Sequence, residues 1–106
     1  MTRPVTFDSI VDDARIVLVV EGEIDLLTAP ELRARIESAT TARSDVAIDL
    51  SKVTFFGSVG VEILGSITTR SGATLTLLDP SAAVVRTLDV LGWPENLSVS
   101  AGAAHA

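Results

Sequence analysis

At 106 residues the chain has the length of one small domain, in which folding buries about 65% of the unfolded chain's surface. Eight basic against fourteen acidic residues, a net charge of −6, repel a phosphate backbone and leave no counterion release to drive nucleic-acid binding. The absence of cysteine excludes disulfides, thiolate catalysis, cysteine zinc sites and thiol redox switching. With 47% apolar residues but only 4% aromatics, the core must be built from Val, Ile, Leu and Ala, which suits strands covered by helices. No apolar run approaches the roughly 20 residues of a membrane-spanning helix, and Met1-Thr2-Arg3-Pro4 lacks the apolar region of a signal peptide. A soluble, cytoplasmic protein without a membrane segment is expected.

In chain order, residues 5–10 read as a strand, Asp12-Asp13 as a polar turn, and 15–21 as a second strand completing a hairpin. The continuous run Ile16-Val17-Leu18-Val19-Val20 implies burial on both faces of that strand. Thr28-Ala29-Pro30-Glu31 has capping-box spacing, and Leu32, Ile36 and Ala39 recur at helical intervals, predicting a helix over 29–39. Residues 45–50 form a third strand, followed by an apolar segment, Val53 to Phe56, that enters the turn Gly57-Ser58-Val59-Gly60. From there Val59, Ile63, Leu64 and Ile67 give a second helix its apolar stripe, ending at Gly72 as C-cap. A fourth strand spans 73–78; Asp79-Pro80-Ser81 opens a third helix with stripe Val84, Val85, Leu88 and Leu91, stopped by Gly92-Trp93-Pro94. Residues 97–99 suit a short edge strand, and the small-residue tail after Val99 is expected to be mobile. The order implies one α/β domain over 1–106, core 5–99, with a four- or five-stranded mixed sheet and right-handed crossovers against a helical layer. Its core is predicted to hold Leu18, Val20, Leu32, Ile36, Ile48, Ile63, Ile67, Leu75, Leu77, Val84 and Leu88.

Ser58 is the residue on which chemistry converges. Read without reference to any family, it is an N-cap whose hydroxyl accepts a helix N–H, worth about 1 kcal/mol. The same placement presents the hydroxyl at a positive helix end, where a phosphate of about −1.5 to −2 charges is tolerated. Gly57 and Gly60 lack the following Gly-Lys-Ser/Thr of a phosphate-binding loop, so no nucleotide site is assigned. Glu21, Glu23 and Asp25 read as solvated carboxylates rather than metal ligands. The sole histidine, His105, lies in the tail, which argues against a Ser-His-Asp triad. Neither metal, cofactor nor catalytic set is expected, and the chain reads as a binding protein rather than an enzyme. Trp93 reads as a cap over the core.

Two separated segments in register resemble the STAS family (sulfate transporter and anti-sigma factor antagonist), specifically its anti-sigma factor antagonists. The first is Gly22-Glu23-Ile24-Asp25, continued by Thr28, Ala29 and Leu32; the second is Val53, Phe55, Ser58 and Gly60; Leu78-Asp79-Pro80-Ser81, Val85 and Leu91-Gly92 resemble the family's closing strand and helix. Gly57 stands where the family usually has Asp, and Val59 where it has Ser or Thr. The resemblance implies binding to an anti-sigma factor that is also a serine kinase of the histidine-kinase-like ATPase type, freeing its sigma factor. The kinase would supply ATP and Mg²⁺, and phosphorylation of Ser58 would end binding. The surface so implied comprises Gly22, Asp25, Thr28, Gly57, Ser58, Val59, Gly60, Val61 and Glu62. Its alternative is a non-catalytic scaffold acting by homodimerisation or assembly with other regulators, marked by an apolar patch on the second helix.

Overall fold

The computed structural model describes residues 5–12, 15–43 and 45–100. Strands β1 (Thr6–Asp12) and β2 (Arg15–Ile24) form an antiparallel pair, from Thr6 opposite Glu21 to Asp12 opposite Arg15. The chain then alternates through α1 (Ala29–Ala42), β3 (Asp45–Phe56), α2 (Ser58–Ser71), β4 (Thr74–Leu78), α3 (Ala82–Leu91) and β5 (Leu97–Ser100). β2, β3, β4 and β5 are parallel neighbours, so the five-stranded mixed sheet has the order β1-β2-β3-β4-β5.

That order dictates where the helices go. Each parallel crossover steps in the same direction across the sheet, and right-handed connections taken in one direction deliver every helix to the same face. One buried cluster accordingly unites Leu32 and Ile36 of α1, Ile63 and Ile67 of α2, and Val84 and Leu88 of α3 with Leu18, Val20, Ile48, Leu75 and Leu77 of the strands. All eleven are 2% exposed or less, as the sequence pattern predicts. Each contributes roughly 1.5–3 kcal/mol of apolar burial.

The one-sided arrangement corrects the expectation for β2. Its burial alternates, with Leu18, Val20, Gly22 and Ile24 buried while Val17 and Val19 are only half-buried. The unbroken valine run therefore reflects β propensity on a face without helices, not a second apolar layer. α1 also runs three residues beyond its predicted end, and the third strand continues to Phe56 instead of stopping at Leu50. Register shifts between Val19 and Glu21 and between Gly22 and Glu23 let β2 follow β3 over that extra length.

The ends of α2 and α3 follow local chemistry. Gly72, at φ +68°, supplies the left-handed residue that terminates α2. Ser81 caps α3, its hydroxyl accepting the Val84 N–H at 3.4 Å, and Gly92 returns an N–H to the Leu88 carbonyl at 2.8 Å. Trp93 does not cover the core: it is 39% exposed, and its Nε1 donates to Asp89 Oδ1 at 2.8 Å. Across the helical layer Arg70 of α2 pairs with Glu37 of α1 at 2.9 Å, a surface bond worth at most about 1 kcal/mol. No helix among the described residues is long and apolar enough to cross a membrane. The predicted tail 101–106 with His105, and Asp13 of the polar turn, lie outside the described residues.

Candidate partner-binding surface

The two loops singled out in the sequence meet at the carboxyl ends of β2 and β3. Parallel pairing brings Ile24 beside Phe56, and the Gly57 N–H donates to the Ile24 carbonyl at 2.9 Å. Residues 25–28 and the Ser58 turn are thereby fixed against one another by the sheet itself.

Asp25 organises its own loop. Its Oδ1 accepts the N–H of Leu27 at 3.0 Å and of Thr28 at 3.1 Å, while its carbonyl accepts the Ala29 N–H at 2.8 Å. Thr28 does not close a capping box. Its hydroxyl turns back into the loop, accepting the Asp25 N–H at 2.9 Å and donating to the Glu23 carbonyl at 2.8 Å. Glu31 instead pairs with Arg35 at 3.2 Å. The side chain of Thr28 prefers two strong loop partners over the helix N–H groups, whose first turn already lacks one donor at Pro30. Asp25→Ala is therefore expected to lower unfolding free energy by about 1–2 kcal/mol, because the part-buried Thr28 N–H loses its acceptor. A denaturation curve superimposable on that of the parent would refute this role.

With the carboxylate turned inward, the loop holds its apolar residues outward. Leu26 is 79% exposed and Leu27 90%. Together with Phe55, Gly57, Ser58, Val59 and Asp25 they line an open groove of about 460 Å³. A second groove of about 370 Å³, between α1 and α2, shares Leu26 and Val59 and adds Ala29, Pro30, Arg33 and Ile63. Leu26, Leu27 and Phe55 were not among the site residues expected from sequence. The signal available was a Leu-Leu pair that belongs to neither the strand period before it nor the helical period after it.

Ser58 differs from its sequence reading in one respect. The N-cap of α2 is Gly57, in extended conformation at φ −77° and ψ 172°; Ser58 is the first helical residue. Its side chain is exposed and makes no hydrogen bond among the described residues. The hydroxyl is thus not a structural cap, and its removal has no intrahelical bond to break. No acidic residue lies in the first turn of α2, so the helix itself supplies no carboxylate to offset its positive end.

The remaining positions divide sharply. Glu62 is exposed, Val59 and Val61 are half-buried, and all three follow Ser58 on α2. Gly22 and Gly60 are buried and act on the backbone. Gly22, at φ +118°, occupies the shifted register of β2, where its carbonyl accepts from Thr54 Oγ1 at 3.4 Å. A Cβ on Gly60 would fall 2.5 Å from Cζ of the Phe56 ring, so this glycine is a packing requirement rather than a contact residue. Gly57 is less constrained: an added Cβ would meet the half-exposed Phe55 ring at 3.3 Å and the Ile24 carbonyl oxygen at 3.5 Å.

The two loops are thus presented together at one end of a helix-backed mixed sheet, as an open grooved surface rather than an enclosed pocket. Residues 10–99 match the family described as Mlab, STAS domain, and the chain belongs to the STAS domain family. Over 57 residues it is 44% identical to the anti-sigma-F factor antagonist RsfB of Mycobacterium tuberculosis (strain H37Rv), a match covering 53% of this chain and 47% of RsfB. The chain thus spans about half the length of that relative. Over 85 residues it is 28% identical to the anti-sigma-B factor antagonist of Bacillus subtilis (strain 168), covering 77% of this chain and 78% of the other. Among solved structures, an anti-sigma factor antagonist from Mycobacterium paratuberculosis superposes with a TM-score of 0.75 at 29% identity, covering 85% of this chain and 81% of that one.

Proposed function

We propose that this protein is an anti-sigma factor antagonist: it binds an anti-sigma factor of the ATPase, serine-kinase type through the Asp25 to Thr28 loop and the Ser58 turn, and so frees a sigma factor. Phosphorylation of Ser58 ends the interaction. The observation that carries the reading is the Ser58 hydroxyl, exposed and without a bond among the described residues, at the start of a 14-residue helix within an apolar groove. The similarity to named antagonists supports the partner class.

Physical chemistry gives the switch its sign. A phosphate at Ser58 lies at the N-terminus of α2, whose dipole and free N–H groups stabilise it in the free protein. In a complex it has to be stripped of water against Leu27, Phe55 and whatever apolar surface covers them, with Asp25 beside it. Modification therefore favours the free state. The glycine at 57 does not oppose this chemistry, since it removes an acid that would repel the phosphate.

The chain is proposed to act as ligand and substrate, without catalysis of its own and in the cytoplasm. Homodimerisation through α2 gains no support, because the exposed positions of that helix are Ser58, Glu62, Thr69, Arg70 and Ser71.

The test is binding to each purified ATPase-type anti-sigma factor of the source organism, with and without Mg-ATP. Ser58→Ala should bind like the parent, incorporate no phosphate and unfold within about 0.5 kcal/mol of it. Ser58→Asp should bind more weakly. Binding by none of these proteins, or phosphate at another residue, would refute the assignment.

A further inference from the structure

The two sides of β3 are treated differently. On one side β2 accompanies it from Val46 to Phe56; on the other, β4 pairs only from Asp45 to Asp49. Beyond Asp49 the carbonyls of Leu50, Val53 and Phe56 have no strand to meet. Helix α3 and its cap take all three. The Ser81 N–H donates to the Leu50 carbonyl at 3.2 Å, the Ser81 hydroxyl to Val53 at 2.6 Å, and the Thr87 hydroxyl to Phe56 at 2.8 Å.

The last of these bonds falls on the peptide that leads into Ser58. The Phe56–Gly57 peptide is held at both ends, its N–H by the Ile24 carbonyl of β2 and its C=O by Thr87 of α3. Its orientation sets Gly57, the N-cap, and hence the direction in which α2 starts and Ser58 is presented.

The hydroxyl of the α3 cap and that of Thr87 within the helix are not equivalent. That of Ser81 is committed, donating to Val53 and accepting from Val84. That of Thr87 has one proton and two carbonyls in reach, Phe56 at 2.8 Å and Ala83 of its own helix at 3.1 Å. Letting go of Phe56 leaves the hydroxyl bonded to Ala83, while the freed carbonyl, in a residue only 2% exposed, loses this partner, so the closed position is the favoured one.

We propose that Thr87 is a positioning residue for the Ser58 turn, a latch with two hydrogen-bonding positions that couples α3 to the partner-binding loops. In the closed position it holds the Phe56 carbonyl and α2 starts as described; in the open position it bonds Ala83 and the turn is released. Because coupling is reciprocal, whatever engages Ser58 also biases α3. The importance of the turn rests on the function proposed above, whereas the latch is a property of the free protein.

Two measurements test it. Amide hydrogen exchange on the free protein should show Gly57 and Gly60 exchanging about tenfold faster in Thr87→Val than in the parent, through an opening insensitive to denaturant. Thr87→Ser, which keeps the hydroxyl, should restore the parent rate, and Thr87→Ala provides a second hydroxyl-free variant. Equal, denaturant-dependent acceleration across β2 and β4 would mean a merely structural hydroxyl and would overturn the latch. In the second measurement, Thr87→Val should change the rate of phosphate incorporation into Ser58 at saturating kinase, and Thr87→Ser should not; equal rates in all variants count against the latch. Absence of incorporation in every variant, the parent included, defeats the phosphoacceptor role of Ser58 instead, and the exchange data then decide the latch alone.

Discussion

Gly60→Ala is expected to lower unfolding free energy by about 1–3 kcal/mol, the range for overpacking a close-packed interior. The new methyl group would lie 2.5 Å from Cζ, 2.7 Å from Cε1 and 2.9 Å from Cε2 of Phe56. The ring cannot yield easily, being only 2% exposed and enclosed by the core cluster. The remaining outlet is to lift the first turn of α2 from β3. For a domain of this length each kcal/mol corresponds to a Tm lower by roughly 4–8 °C. Because that turn carries Ser58, partner affinity should fall in the same variant even where it remains folded. Trimming the obstructing ring in the double variant Gly60→Ala with Phe56→Leu should cost less than the sum of the two single changes. A Tm unchanged by Gly60→Ala would show that the helix and strand do not touch as described.

Leu27→Asp should have the opposite profile: stability close to the parent and binding to the anti-sigma factor weakened by about 30-fold or more. The stability expectation follows from exposure, since a side chain 90% accessible has almost no burial to lose. The binding expectation follows from position. Leu27 rims the groove that contains Ser58, and an apolar residue buried at the centre of an interface can carry about 2 kcal/mol or more. The substitution also adds a carboxylate next to Asp25, which the partner would have to desolvate. Val90→Asp, an equally drastic change at an exposed position of α3, is the control and should bind normally. Equal loss in both variants would point to net charge rather than to the groove.

The periodic parts of this fold were readable from sequence and the exceptions were local. Ile63 and Ile67, or Leu75 and Leu77, repeat at intervals that only one element type satisfies, and the structure places them in the core. The side-chain bond of Thr28, which does hold the N-cap position of α1, and the cap role of Ser58 were misassigned because a hydroxyl has several partners within reach. Thr28 bonds backward to Glu23, and Ser58 enters the helix one position later than a cap. Neither outcome is encoded in spacing, since both depend on where the neighbouring strand ends. The length of β3 was missed for a related reason: Ser51 and Lys52 interrupt the apolar pattern, yet pairing with a shifted β2 carries the strand through them. At the candidate site, Ser58 and Asp25 were legible as motif residues. Leu27 became visible only once the Asp25 carboxylate was seen to occupy the inside of its loop.

Strand order that equals chain order has a kinetic consequence. Every strand of this sheet pairs only with the strands before and after it in the chain, so the sheet can grow from one edge as successive segments leave the ribosome. The β1–β2 hairpin needs no crossover and offers the earliest template, while each later strand waits for its helix. The loops after β2 and β3 emerge before α3 has been made, with the Phe56 carbonyl still lacking its Thr87 partner. A nascent chain halted after β4 should therefore show native pairing of the first four strands but a disordered Ser58 turn, which becomes resistant to protease only when α3 emerges.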